Sequence, residues 1–212
     1  MKIICISDTH GYHEQLTLPE GDMIIHAGDL SKRGHASEIR DFIDWFTELP
    51  YTHKVFIGGN HDFFLERESA QFKSLLNDQI IYLEDDWIEV EGIRIWGSPI
   101  TPYFFNWAFN RYRGDDIKRY WEPIPEDIDL LVTHGPPLGY GDRVYSGDLV
   151  GCADLLAAVK RVKPSYHIFG HIHEAYGTYS DGKTQFINAS VVNLKYQVVN
   201  APLVINFSKE GI

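Results

Sequence analysis

Apolar residues along this chain fall in short unbroken runs divided by longer stretches of helical spacing. The runs KIICIS (2–7), MIIHAG (23–28), KVFIG (54–58), IIYL (80–83), DLLVTHG (129–135), YHIFGH (166–171), TQFINAS (184–190) and LVINF (203–207) predict strands. Several are continuous and β-branched, as strands covered on both faces should be. WIEVEGIRIWG (87–97) predicts a hairpin through Glu91-Gly92, and YSDGKTQF a second through Asp181-Gly182. Helices are expected over 35–49, 62–77 and 151–163. The first places Ile39, Phe42, Ile43, Phe46 and Leu49 on one face, and Pro50 ends it. The order is β-α-β-α-β at first, with hairpins later. It predicts an α/β sandwich: two mixed sheets inside, helices outside. No repeat, low-complexity segment or linker divides it, so one domain is expected over 1–212.

Polar residues then fall in a revealing place. Run 2–7 ends in Asp8-Thr9-His10, run 23–28 in Gly28-Asp29, and run 54–58 in Gly59-Asn60-His61-Asp62. Run 129–133 ends in His134-Gly135, and run 166–170 in His171-Ile172-His173. In open α/β sheets, sites form outside the carboxyl ends of strands. Taken singly, Asp-x-His or Gly-Asp reads as a turn with a surface side chain. Five such ends in one chain are hard to obtain from turn chemistry alone.

Composition narrows the chemistry. Hydrophobic residues make up 44% and charged residues 23% of the 212, an ordinary globular balance. The formal net charge of −11 argues against a long nucleic acid as partner. It does not exclude small anions, because bound metal ions reverse a local potential. Cys5 and Cys152 are too few for a disulfide framework, which predicts a reducing, cytoplasmic setting. The apolar run before Asp8 is too short for a signal-peptide core, and no run approaches the roughly 20 residues of a membrane span. No membrane association is expected, and the oligomeric state is left open.

The strand-end set is rich in His and Asp, carries one Asn and lacks Cys. That suits Mn, Fe, Zn or Co rather than a thiolate zinc site. Seven candidate ligands are too many for one ion, whereas two ions sharing a carboxylate use them naturally.

With D-x-H, G-D, G-N-H-D, a lone strand-end His and G-H-x-H in this order, the chain resembles the calcineurin-like metallophosphoesterases. SPITPYFFNWAFN (98–110), THGPPLGYGD (133–142), VGCADLL (150–156), HIFGHIHEAYGTYSDG (167–182) and FINASVVN (186–193) extend the likeness. They point to the branch of metallophosphoesterase-domain-containing proteins related to class III cyclic nucleotide phosphodiesterases. The resemblance implies a metallophosphoesterase-type sandwich with its dimetal site at strand C-termini. Asp8, His10, Asp29 and His173 would hold one ion. Asp29 would bridge, and Asn60, His134 and His171 would complete the second. His61 would face the substrate and protonate the leaving oxygen, and Asp62 would orient it through the other ring nitrogen. Gly58 and Gly59 would allow the tight turn. Where many relatives carry a Gly-Ser turn after the last His pair, this chain has Asn188-Ala189-Ser190.

The activity so implied is hydrolysis of small phosphodiesters, cyclic nucleotides among them, by a hydroxide bridging the ions. The alternatives are a phosphomonoesterase, including a protein phosphatase, and a metal-binding scaffold without catalysis. The aromatic segment 100–121 is read either as a hydrophobic cover or as a rim for substrate, with Tyr103 and Trp107 stacking on a base and Arg111 or Arg113 near phosphate. His13, His35 and His53 are expected to be solvated. His26 is either a partner of a ligand or a core histidine.

Overall fold

The computed structural model describes residues 1–209; the last three positions of the domain expected over 1–212 lie outside the described residues. The first half runs β1 (Lys2–Ile6), β2 (Met23–His26), α1 (Ala36–Glu48), β3 (His53–Phe56), α2 (Phe63–Arg67), α3 (Ser69–Lys73) and β4 (Ile81–Tyr82). The hairpin β5 (Asp86–Val90) and β6 (Ile93–Ser98) follows, then β7 (Thr101–Pro102), β8 (Asn110–Arg111) and α4 (Asp115–Trp121). The remainder is β9 (Leu130–Thr133), α5 (Ala153–Val162), β10 (Tyr166–Phe169), β11 (Gly177–Ser180), β12 (Gln185–Asn188) and β13 (Leu203–Asn206).

Two mixed sheets form the centre, ordered β13-β1-β2-β3-β4 and β11-β12-β10-β9-β6-β5. Strands β1 to β4 are mutually parallel, as are β6, β9, β10 and β12; β13, β5 and β11 run antiparallel at or near the edges. The continuous apolar runs are explained by burial on both faces. Ile3, Cys5, Ile25, Val55, Ile95, Val132 and Ile168 pack together between the sheets. Their neighbours Ile4, Ile6 and Ile24 pack on the other side with Ile39, Phe42 and Phe46 of α1. Both expected hairpins are present, and Glu91 and Gly92 have the positive φ values that a tight type I′ connection requires (48° and 79°).

Two elements differ from expectation. The helix over 62–77 breaks at Glu68 (φ −120°, ψ 40°) into α2 and α3. Ser69, a residue type that favours helix starts, opens the second piece. Segment 100–121, for which no regular element was expected, holds β7, β8 and α4, whose Ile117 and Trp121 are buried one turn apart. Among the described residues no helix is long and apolar enough to cross a membrane.

Parallel strands point their carboxyl ends the same way, so the loops after β1, β2, β3, β9 and β10 gather at one end. There the sheets meet, with Ser7 bridged to Ser190 and the Val191 amide donating to the Ser7 carbonyl at 3.0 Å.

Candidate metal centre

The five gathered loops carry Asp8, His10, Asp29, Asn60, His134, His171 and His173. Asp8, His10, Asp29, Asn60 and His134 are buried. Buried carboxylates and imidazoles without a partner are costly, so their arrangement is informative.

Ligand-bearing atoms converge in two main groups. In one, Asp8, His10 and His173 bring a carboxylate oxygen and two ring nitrogens within 4.8 Å of one another. The Nε2 atoms of His10 and His173 are 3.4 Å apart, and His173 Nε2 is 3.6 Å from Asp8 Oδ1. Asp29, His134 and His171 form the other. His134 Nε2 lies 2.9 Å from Asn60 Oδ1. Asp29 stands between the groups: Oδ2 is 3.6 Å from His10 Nε2, and Oδ1 is 3.4 Å from His134 Nε2.

Main-chain carbonyls aim the rings. His10 Nδ1 lies 3.2 Å from the Ser31 carbonyl, His134 Nδ1 2.9 Å from that of Ala27, and His173 Nδ1 3.3 Å from that of Asn193. A carbonyl can only accept, so Nδ1 carries the proton and, in the neutral ring, the Nε2 lone pair faces the centre. The backbone is bent to the same end. Asp8, His10, Asp29 and His171 all have positive φ (57°, 44°, 56° and 69°). Non-glycine residues held there store strain that surrounding contacts must sustain. His171 N–H donates to both Asp8 oxygens, at 3.1 and 3.0 Å, and His61 N–H donates to Asp29 Oδ1 at 2.8 Å.

Two glycines are required by proximity. A Cβ on Gly59 would stand 2.3 Å from Asp29 Oδ1, and one on Gly170 would stand 2.1 Å from Asp8 Oδ2. Gly59 does not have the positive φ expected of a tight turn; it is needed because Asp29 lies against it.

The electrostatics call for cations. Burial opposes ionisation of Asp8 and Asp29, yet the imidazoles around them hold both carboxyls below the usual range. Against its own burial, His134 is pushed up to about 9 by Asp29. Burial lowers His10 and His171 to about 4, keeping them neutral, as a ligand must be. Ionised carboxylates, imidazole nitrogens and one amide oxygen fit a pair of first-row transition ions, whose binding would displace the proton that Asp29 favours on His134.

His61 sits at the lip, its Nδ1 2.8 Å from the Lys32 carbonyl. Trp107 stacks on its ring at 4.3 Å, and His10 meets it edge-on at 4.6 Å. Lys32 is held in turn, because the amides of Lys32, Arg33 and His35 all donate to the Glu38 carboxylate, at 3.2, 3.2 and 3.0 Å.

The expected partnership of Asp62 with the His61 ring is not formed. Asp62 is fully buried, and its oxygens accept from Leu30 N, Ser31 N, Ser31 Oγ and Gly59 N, at 3.1, 3.0, 2.7 and 2.8 Å. It clasps the β2 and β3 loops together. Burial, followed by the Asp29 charge, pushes it up to about 6 against the pull of these donors.

The arginines are likewise committed elsewhere. Arg111 donates to Tyr120 Oη, Glu66 and the Asn110 carbonyl, at 2.8, 3.2 and 2.8 Å. Arg113 donates to the Val150 and Gly151 carbonyls, at 2.6 and 2.7 Å. Tyr103 stacks on Tyr112, with ring centres 4.7 Å apart. His13 is buried, not solvated: its ring lies 4.7 Å from that of Trp45. His26 Nδ1 accepts from Gly28 N, and Nε2 reaches Thr9 Oγ1 at 2.9 Å, so it braces the loop between Asp8 and His10.

The sequence reading missed Tyr196. Its ring meets His10 edge-on at 4.8 Å, its φ is 57°, and it shares a recess with Asp29, Asn60, His61, Trp107 and Leu194. Nothing around it in NLKYQ marks it as more than a loop tyrosine.

Comparison with known proteins agrees with this geometry. Residues 1–175 match the family described as Calcineurin-like phosphoesterase. Metallophosphoesterase domain-containing protein 1 of Homo sapiens is 42% identical over 229 residues, covering 97% of this chain and 70% of that protein. A UPF0046 protein of Caenorhabditis elegans is 40% identical, covering 97% of this chain and 60% of its own length. GAP50, the anchor in the inner membrane complex of Plasmodium, superposes with a TM-score of 0.51 at 14% identity, covering 90% of this chain and 71% of that one. At that identity the likeness is one of fold.

Proposed function

The chain belongs to the calcineurin-like phosphoesterase family, and from that premise we propose a phosphodiesterase acting on small diesters, cyclic nucleotides among them. Its family membership makes it a metal-dependent phosphoesterase with a small phosphoester as substrate. In this reading Asp8, His10, Asp29 and His173 would hold one ion, and Asp29, Asn60, His134 and His171 would hold the second. The observation that carries it is the placement of Asp29, with one oxygen facing each histidine group. Bound there, two ions would supply Lewis-acid neutralisation of the phosphoryl oxygens and would acidify a water.

The chain's own residues do the rest. Asn60 offers an amide oxygen without adding negative charge. His61 has its Nδ1 proton engaged by the Lys32 carbonyl, so Nε2 is the ring atom that can serve the substrate. Protonated, Nε2 can deliver a proton to the departing oxygen. No serine or cysteine nucleophile is needed; Cys5 and Cys152 are both free and buried, in keeping with a cytoplasmic enzyme.

Diester is favoured over monoester on charge. A monoester carries about two negative charges, and both nearby arginines are tied to other groups. The deciding measurement is kcat/KM of the metal-loaded protein on bis-p-nitrophenyl phosphate, p-nitrophenyl phosphate and a panel of cyclic mononucleotides. The expected result is a higher value for the aryl diester than for the monoester, with turnover of at least one cyclic nucleotide. A clear preference for the monoester would sink the diester reading.

A further inference from the structure

Beside the metal centre lies a groove of about 590 Å³ that no step above uses. It reaches the centre through His171, and Phe104 and Leu194 line both this groove and the recess over Asp29 and His61. Tyr103, Leu138 and Leu149 add to its apolar lining. Several of these side chains are left open to water: Tyr103 is 46% exposed, Phe104 58%, Leu149 46% and Leu194 56%. Apolar groups clustered at a concave opening beside reactive chemistry mark a ligand surface rather than ordinary exterior.

The groove is built, not left by a loose loop. Asp142 is buried and accepts from the amides of Gly139 and Gly151, at 2.9 and 3.0 Å. Cys152 N–H donates to the Pro136 carbonyl at 3.0 Å, and Leu138 N–H donates to the Cys152 carbonyl at 3.1 Å. Arg113 spans from the aromatic segment to the Val150 and Gly151 carbonyls. Gly114 N–H donates to Asp154 at 3.1 Å. The segment carrying Tyr103 and Phe104 is thus strutted to the loop carrying Leu138 and Leu149.

Its polar content shows what it would take. The charged side chains that line it are Arg113 and Glu174. Arg113 is engaged by carbonyls, and Glu174 accepts from Tyr145 N–H at 2.8 Å. A further phosphate or carboxylate would find, among the described residues there, no cation other than Arg113, whose terminal nitrogens both donate to main-chain carbonyls. A group rich in hydrogen-bonding atoms would leave many of them unpaired.

We propose that this groove is the subsite for the second ester group of acyclic diester substrates, and that it selects an uncharged aryl or alkyl group. The proposal rests on the phosphodiester reading of the adjacent centre, since a monoester has no such group to place.

Binding tests it apart from turnover. Diphenyl phosphate and dimethyl phosphate carry the same charge at phosphorus and differ in the apolar group. Isothermal titration of each into Mn²⁺-loaded protein should give diphenyl phosphate at least a tenfold lower Kd, a roughly tenfold gain being what partial burial of one phenyl ring supplies. Leu149→Glu and Tyr103→Ala, both at half-exposed positions where the fold tolerates change, should each bring the ratio below about threefold. Equal Kd values, no detectable binding of diphenyl phosphate, or a ratio that survives both substitutions would overturn the subsite. Failure of the phosphodiester reading shows separately, as slower turnover of bis-p-nitrophenyl phosphate than of p-nitrophenyl phosphate.

Discussion

His61 Nδ1 and the main-chain oxygen of Lys32 lie 2.8 Å apart, which places the ring's transferable proton on Nε2. The stacked Trp107 leaves the ring little freedom to turn. His61→Ala should therefore keep the fold and the bound metal while losing turnover. The loss should reach about 10²–10⁴-fold on diesters with alkoxide leaving groups and be much smaller on nitrophenyl esters, whose departing oxygen needs little protonation. Steady-state rates across a leaving-group series decide it. An equal loss on both types would make His61 a phosphate-positioning group rather than an acid.

Asp62 is adjacent to His61 in sequence but serves a different end. Its carboxylate gathers four donors from two loops. Asp62→Ala orphans them and should lower unfolding stability by about 2–4 kcal/mol in urea titrations. The leaving-group dependence of the residual activity should stay that of the parent. A selective loss on poor leaving groups would restore Asp62 as the partner of the ring.

Much of this was legible in the chain. Strands buried on both faces leave unbroken apolar runs, so the sandwich could be read from Ile3–Ile6 or Leu130–Val132. A ligand needs specific atoms, so all five strand-end motifs were visible as residue types. What was not legible depends on groups every residue possesses or on direction in space. The acceptor that aims His61 is a main-chain carbonyl, and nothing in the identity of Lys32 announces it. Consecutive residues in a tight turn point apart, so the neighbours His61 and Asp62 part company. Arg111 and Arg113 lie in the right segment, yet the folding of β8 and α4 turns them toward Glu66, Tyr120 and the carbonyls of Val150 and Gly151. Tyr196 approaches His10 only because its loop takes a positive φ that its side chain does not favour.

Asp29 is the carboxylate that faces both histidine groups. Asp29→Ala should reduce metal content at both positions and abolish activity. Elemental analysis of the purified variant checks it. Two equivalents of metal per chain would show that the bridge is misassigned.

A methyl group suffices to disturb the same carboxylate. The Cβ of an alanine at position 59 would meet the Asp29 amide nitrogen and Oδ1, each at 2.3 Å. Neither can retreat without moving the β2 loop, so Gly59→Ala should lower metal affinity by tenfold or more. Titration of the metal-free variant with Mn²⁺ measures this, and Gly92→Ala, where a Cβ meets nothing within 4 Å, is the control. Because Gly92 has a positive φ of 79°, the control should cost some stability but leave metal affinity unaltered. Unchanged affinity in Gly59→Ala would mean that the ligand loops yield more easily than their packing indicates.

His167 carries a pH dependence of folding that is separable from the metal centre. It lies buried in β10, with Nε2 2.8 Å from Thr133 Oγ1. That hydroxyl donates onward to the Gly135 carbonyl at 2.8 Å, so Nε2–H must be the donor to Thr133. Nδ1 is buried without a partner among the described residues, and burial lowers the ring to about 3. In the unfolded chain an ordinary histidine takes its proton near 6.5. Between these values the unfolded chain binds a proton that the folded chain refuses. The stability contributed is therefore whole above about pH 6.5 and is lost as pH falls toward 3. The slope approaches 1.4 kcal/mol per pH unit where the difference is a full proton. His26, buried and also lowered to about 3, adds a parallel loss, as do His10 and His171 in metal-free protein. These cancel in a comparison of parent with His167→Phe, which fills a similar volume and cannot titrate. Urea unfolding of both metal-free proteins at pH 7, 6, 5 and 4.5 should show the variant losing stability less steeply by up to one proton equivalent. Its absolute stability can lie above or below the parent without affecting the comparison. Parallel curves over that range would mean that His167 is protonated in the folded protein as readily as in the unfolded chain.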